Sequence, residues 1–521
     1  MIELLAVTDP RLAYLVLGGF VAVFGLFSLL IREKWYISEV VIGTTFGIIM
    51  GPYAAGIFDP RSWASDNRMI TLEVMRVVLA VGLFAIGVEL PASYMGKHVR
   101  GLVVLVIPTM AIGWLVVAGF MFLLFPSLSF ISCLVVAATL TPTDPVISAA
   151  IVGNGKYALE HVPAYLRNVI SAESAANDGL AYPFLSLSIY LTVEATKGEA
   201  FKKWLLVGCL YQVILGTTFG AVMGYGFRKL LAYSHKKGLG DGQSFLIQYI
   251  ALAFFTIGVA SNVGMDDLLA AFAAGCAVSW DGNFKEETEK ESFAAVIDLM
   301  LNCACFIYIG AWMDFASFNS PHLGITPWRL IVLFIWIAVF RRIPAILMLY
   351  KWVPEVKTWK EALFTGHFGP MGVGAMFIST LALSELKVPH NPPQDQEEYL
   401  AATLQIIVSF IVLCSIFIHG MSIPIYSAAC QIRSRAPSLT RTWTSGRGKW
   451  DRWQLDWSNR IRRSGSKSPS QTITKRDEET GDRSGTQTKV GDTSGIDESE
   501  ETASVVGVRN LYFDADVEMS R

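Results

Sequence analysis

Charge is what this sequence has little of. Of its 521 residues only 17% are Asp, Glu, Lys or Arg, against about 25% in an ordinary soluble domain. The formal net charge of −2 says little about partners, and no nucleic-acid partner and no cofactor are expected. The seven cysteines (133, 209, 276, 303, 305, 414 and 430) show no zinc or redox spacing and read as small buried thiols. No Asn-x-Ser/Thr acceptor occurs, because Asn319-Ser320 is followed by Pro321. A cleaved signal is not expected at the first apolar run, which lacks a basic segment before it and a small-residue cleavage site after it.

What fills the space is apolar: 53% of the chain, gathered into long runs. About 20 such residues cross a bilayer core as a helix. About thirteen runs are long enough, near 12–31, 37–57, 69–90, 101–125, 128–151, 163–191, 203–230, 243–262, 266–280, 292–313, 326–350, 361–384 and 398–430. Lipid leaves open backbone groups unsatisfied, so helices are the expected form and the fold class is an all-α polytopic membrane protein. The expected organisation is residues 1–11 as an extracellular N-terminus, 12–430 as the membrane domain and 431–521 as a cytoplasmic tail. Counting Lys and Arg in the short loops gives about 15 on the side of Arg32, Lys97, Arg228 and Lys357, against about 7 on the other, which puts the N-terminus outside. The tail is basic from Arg433 to Arg463, with Trp443, Trp450, Trp453 and Trp457 interleaved, and suits anionic lipid headgroups. Beyond that it turns acidic and polar and reads as largely disordered.

Ionisable side chains inside a span are costly, so each is a functional candidate. The fifth run reads Thr141-Pro142-Thr143-Asp144-Pro145, and two prolines three residues apart should break the helix there. A break at membrane depth frees helix ends for an ion. The alternative reading is a proline kink with Asp144 capping the following half-helix. The twelfth run, Gly366-His367-Phe368-Gly369-Pro370-Met371-Gly372-Val373-Gly374, is interrupted again. If spans eight to thirteen repeat the first six inverted, these two segments correspond, and such a pair points to a transport site.

In the sixth run Ser171, Ser174 and Asp178 differ by three, four and seven, and so fall on one helical stripe. Glu173 and Asn177 fall on the neighbouring stripe, facing a guanidinium from another span: Arg341 or Arg342, with Arg342 and Glu173 the expected pair. The alternative for both arginines is snorkelling from a span end. Asp178 is then the carboxylate left without a permanent cation. A desolvated carboxylate is poorly tolerated bare, so a proton and an alkali cation would compete for it. Asp266 and Asp267 open a helix, where acids are favoured, or form an entrance for cations. His367 either tunes the site, as a pH-sensitive group, or bonds a freed backbone group. Glu89 is a weaker candidate that reads as structural.

Thr141-Pro142-Thr143-Asp144-Pro145-Val146 followed by Glu173-Ser174-Ala175-Ala176-Asn177-Asp178-Gly179 resembles the monovalent cation/proton antiporter family. Phe340-Arg341-Arg342-Ile343-Pro344, Gly366-His367-Phe368-Gly369-Pro370, and Phe272-Ala273-Ala274-Gly275 with Ser279-Trp280-Asp281-Gly282 are similar to the fungal plasma-membrane sodium/proton antiporters in particular. The resemblance covers about residues 10–430 and leaves out the tail. It implies about 13 transmembrane helices in inverted repeats with two crossed discontinuous helices, an NhaA-like antiporter fold, as a homodimer. It implies that Asp178 carries the ion or the proton, that Thr143 and Asp144 lie beside it on the crossing helix, and that Glu173 partners the arginine. Asp266, Asp267 and His367 match positions that bear on transport in the fungal group. Sodium and lithium, with potassium a further candidate, would leave against inward proton flow, in the service of salt tolerance and pH homeostasis. Asn177 before Asp178 is the pattern associated with electroneutral exchange.

Two other classes compete. Gly238-Leu239-Gly240-Asp241 matches the short motif of intramembrane aspartyl proteases, but it follows His235-Lys236-Lys237 in a charged loop, and the Pro-Ala-Leu segment of that class is absent. A proton-coupled carrier of another small solute is the second alternative. The small residues Ser171, Ser174, Ala175 and Ala176 leave a narrow, oxygen-rich space better suited to a bare ion.

Overall fold

The computed structural model describes residues 8–427, excepting 65, 153–155, 240–241 and 286–292. The N-terminal seven residues, the tail from 428 onward and Asp241 of the Gly-Leu-Gly-Asp motif lie outside the described residues. Among those described, the chain is helical, with a single isolated bridge between Ser320 and Ile325.

The helices follow the apolar runs in order. The first three are α1 (Asp9–Leu29), α2 (Glu39–Met50) and α3 (Arg68–Glu89). After α4 (Val99–Leu124) the fifth run is split into α5 (Phe130–Thr139) and α6 (Pro145–Val152). The sixth run is split as well, into α7 (Ala164–Gly179) and α8 (Tyr182–Val193). A continuous helical stretch, α9 (Lys197–Lys236), is followed by α10 (Gly242–Val263), α11 (Asp267–Val278) and α12 (Phe293–Trp312). The eleventh run gives α13 (Pro327–Phe340) and α14 (Ile343–Leu349). The twelfth gives α15 (Trp359–His367) and α16 (Val373–Ser384), and α17 (Gln396–Gly420) closes the described chain. Among the described residues, six helical segments are individually long and apolar enough to cross a membrane.

Two breaks lie where prolines interrupt the fifth and twelfth runs. Two more lie in runs expected to be continuous. Pro183 sits in the first turn of α8 and Pro344 in the first turn of α14. A proline has no N–H to give the preceding turn, and it is accommodated where a helix starts afresh. The runs were long enough to hide these restarts.

With lipid outside, burying apolar surface gains little between helices, and close backbone approach matters more. α2 and α12 meet through Gly47 and Gly310. A Cβ on either would collide with the other helix's backbone, at Ile307 or at Thr44 respectively. Large side chains such as Met75, Leu79, Leu83, Leu105 and Ile147 fill the interior around the four split segments.

Candidate functional site

The two proline- and glycine-broken helices meet at their breaks. The backbone N–H of Asp144, in the gap between α5 and α6, donates to the carbonyl of Pro370, in the gap between α15 and α16, at 2.8 Å. Four helix ends therefore converge on one point, two N-terminal and two C-terminal. The N–H groups at the starts of α6 and α16 are orphan donors, and the carbonyls at the ends of α5 and α15 are orphan acceptors.

Two side chains of opposite charge answer them. Asp144 is 1% exposed. Its Oδ1 accepts from the N–H of Val146 at 2.8 Å and of Ile147 at 2.9 Å, and its Oδ2 from that of Val373. One carboxylate thus caps the starts of α6 and α16 together, where negative charge is favoured. Arg341 does the reverse. Its guanidinium donates to the carbonyls of Leu140 and Gly369, and to that of Pro142 at 3.2 Å. A cation thus lies where the C-terminal ends of α5 and α15 meet. Arg341 is buried, so snorkelling does not describe it.

Arg342, next along the break between α13 and α14, takes a different partner. Its Nη1 donates to Glu173 Oε1 at 2.7 Å, its Nη2 to Oε2, and its Nε to the carbonyl of Thr365 at 3.2 Å. This is a two-pronged pair with Glu173 fully buried. Asn177, one turn on, extends the network. Its amide donates to Glu173 Oε1 at 2.8 Å and to Thr143 Oγ1 at 2.7 Å, and its Oδ1 accepts from the Thr143 N–H at 2.9 Å. Both ends of the Asn177 side chain are engaged in joining α7 to the crossing. Ser174 turns to Thr143 Oγ1 at 2.9 Å and Ser148 Oγ at 3.5 Å, not to Asp178 with which it shares a stripe.

Asp178 stands apart. It is 1% exposed, and neither of its carboxylate oxygens has a hydrogen-bond partner. It lies on the last turn of α7 and faces α16 at Gly374, where a Cβ would come within 2.6 Å of Oδ1. Only a glycine leaves that approach open. A buried carboxylate without donors is costly unless it is neutralised or paired.

The remaining candidates lie elsewhere. Asp266 caps the start of α11, accepting from the Leu269 N–H at 2.8 Å. Asp267 is paired with Arg76 of α3, with Nε to Oδ2 at 2.9 Å. Glu89, at the end of α3, is exposed, and its backbone carbonyl accepts from Lys285 at 2.6 Å. His367 meets Ser422 through Nε2 at 3.2 Å. The freed backbone groups beside it are served by α17 instead. His419 Nε2 reaches the His367 carbonyl at 3.1 Å, and Ser415 Oγ accepts from the Met371 N–H at 2.7 Å. Neither Ser415 nor His419 is among the candidates that the sequence offers. Their only signal is that they lie one helical turn apart on α17 as polar residues in an apolar run.

A family model described as sodium/hydrogen exchanger, transmembrane, matches residues 19–429. A probable Na(+)/H(+) antiporter of Schizosaccharomyces pombe is 44% identical over 84% of this chain and 58% of its own length. A Na(+)/H(+) antiporter of Saccharomyces cerevisiae is 40% identical over 88% of this chain and 47% of its own. This chain thus spans about half the length of these two curated relatives. A shorter Na(+)/H(+) antiporter of S. pombe is 38% identical and 90% covered. The solved structure of the sodium proton antiporter MjNhaP1 from Methanocaldococcus jannaschii has a TM-score of 0.59 at 16% identity, covering 81% of this chain and 99% of that one, so the two share a fold. On the match across residues 19–429 and these relatives, the chain is a multi-pass membrane protein belonging to the sodium/hydrogen exchanger family.

Proposed function

We propose that the protein exchanges Na+ for H+ by alternating access, with Asp178 holding either the metal ion or the proton. The observation that carries this is the contrast within one buried cluster. Glu173 and Asp144 have their charges committed to Arg342 and to helix starts, while the oxygens of Asp178 have no partner. A carboxylate in that state tolerates a proton or a bound cation and disfavours being bare. It can therefore reorient loaded with one or the other, which is what couples opposing fluxes. Thr143, Ser174 and Asn177 hold the helix crossing against α7 and set the width of the space around Asp178. The protein carries ions and is not an enzyme, in keeping with its family.

The finer features of this reading rest on sequence. Li+ accompanies Na+ as cargo, with K+ a further candidate. Thirteen crossings put the N-terminus outside and the tail in the cytosol of a plasma-membrane homodimer, with residues 12–430 as the transport domain and the basic start of the 431–521 tail on anionic lipid. Asn177 before Asp178 accords with one-for-one exchange. The test is a pH-sensitive dye in vesicles holding only this protein. Imposed Na+ or Li+ gradients should move protons in the wild type and not in Asp178→Asn. Clamping the membrane potential with an ionophore should leave the rate unchanged, and a strong potential dependence would refute one-for-one exchange. A chain cut at about residue 440 should exchange at close to the full rate.

A further inference from the structure

Arg76 is a largely buried cation that the crossing does not use. Arg76 lies on α3, two turns from its start, with its side chain 18% exposed. It pairs with Asp267 at the first position of α11, Nε to Oδ2 at 2.9 Å, and donates through Nη1 to Glu73 Oε1 at 2.8 Å. The same guanidinium stands over the ring of Phe377, 5.8 Å from its centroid. Phe377 belongs to α16, three residues beyond Gly374, which is the residue against Asp178. On the other side, Leu269 of α11 packs on Gly179, the residue after Asp178. A single side chain thereby joins α3 and α11 to the first half of the helix that borders the ion site, two turns inside the end of the bundle where α3 begins.

We propose that Arg76 is a tethered cation that closes the path between Asp178 and that end of the bundle, and that a transported cation must displace it from Asp267 to pass. The inference rests on the exchange reading above. The chemistry is that of competition. Asp267 and Glu73 form an acidic mouth that would attract Na+, and Arg76 occupies it. When the mouth is held by Arg76, α16 is held too, through the arginine's contact with the Phe377 ring, which attracts a guanidinium. When Na+ arrives at Asp267, both ties loosen together. Arg76 touches neither Asp178 nor the cargo bound there, so it is a positioning residue. In the orientation proposed above this end is the outer face, and Arg76 is its gate.

The test uses the full purified chain. Hydrogen–deuterium exchange read by mass spectrometry should rise several-fold over residues 369–378 and 176–182 in Arg76→Gln, and stay near wild type in Arg76→Lys, which keeps the charge. Phe377→Leu keeps the ion pair and should raise exchange over the same peptides to a smaller degree. It serves as the second variant if Arg76→Gln folds poorly. In vesicles the apparent KM for Na+ should fall about 3- to 10-fold at the face lined by Asp267, because the open state is no longer taxed, and should not fall at the opposite face. Equal KM changes at both faces, or exchange raised uniformly through the whole chain, overturn the gate and leave Arg76 a structural pair. Asp178→Asn is run alongside. If it transports at the wild-type rate, the reading of the ion site fails, a result that no Arg76 variant can produce. If Asp178→Asn is dead and Arg76→Gln matches wild type in both measurements, the gate alone fails.

Discussion

Asp144 and Asp178 are each 1% exposed and border the same broken helix pair, yet Asp144 accepts three backbone hydrogen bonds and Asp178 accepts none. The difference separates two uses of a buried acid. The charge of Asp144 is a structural part, fixed by the helix starts it caps. That of Asp178 is committed to no hydrogen bond, and in the exchange proposed above it takes a partner that comes and goes. Glu173 falls on the side of Asp144, since Arg342 and Asn177 hold both of its oxygens. The largest effect should come from removing the uncommitted acid. Asp178→Asn should abolish Na+-driven proton flux while leaving the melting temperature equal or higher, because an amide has no charge to desolvate. A variant that both unfolds and loses transport would erase the contrast with Asp144.

Breaking a committed pair should cost stability first. Arg342→Ala leaves Glu173 as an uncompensated buried charge and should cost about 3–5 kcal/mol. Glu173→Ala should cost less than the sum when combined with it, because the double variant removes both charges. Denaturation of all three in detergent measures the coupling. Additive losses would mean that the 2.7 Å contact contributes no pairwise energy. A smaller loss, about 2–3 kcal/mol, is expected for Asp144→Asn, where an amide group must face backbone N–H donors. It differs from Asp178→Asn in direction: stability falls and some exchange survives.

How far the sequence disclosed this site depends on what kind of signal each part leaves. Broken helices announce themselves through Pro142, Pro145 and Pro370, since backbone chemistry is local. The stripe through Glu173 and Asn177 pointed outward to an arginine by period alone, and the structure sets Arg342 there. Direction within a stripe was not legible. Ser174 shares a face with Asp178 but its hydroxyl pairs with that of Thr143, because the neighbouring helix decides which rotamer finds a partner. In sequence Arg341 is an alternative ion-pair partner to Arg342, yet it serves carbonyls from two distant segments, and backbone acceptors carry no residue code. The breaks at Arg341-Arg342 and after Gly179 were hidden for a similar reason: each apolar run continues through them, and a single proline at a helix start looks like one inside a helix.

Two glycines on the same short segment bring the comparison to its finest form. A Cβ at Gly372 would meet Asp144 Oδ2, and one at Gly374 would meet Asp178 Oδ1 at 2.6 Å. The added methyl is the same, but the acids differ in freedom. Asp144 is held by three N–H donors and cannot swing aside without losing them, so Gly372→Ala should appear as lost stability, about 1–2 kcal/mol from overpacking. Asp178 has no hydrogen bond to lose. It can turn away from a methyl added at Gly374 at little cost to the fold, and the carboxylate then leaves the position from which it would hold the ion. Gly374→Ala should therefore melt within a degree or two of wild type while its apparent KM for Na+ rises roughly tenfold, equivalent to about 1.4 kcal/mol. If the two substitutions exchanged these outcomes, with Gly374→Ala unfolding and Gly372→Ala weakening only ion affinity, then the acid with no hydrogen bonds would be the structural one, and the division of labour between Asp144 and Asp178 would be inverted.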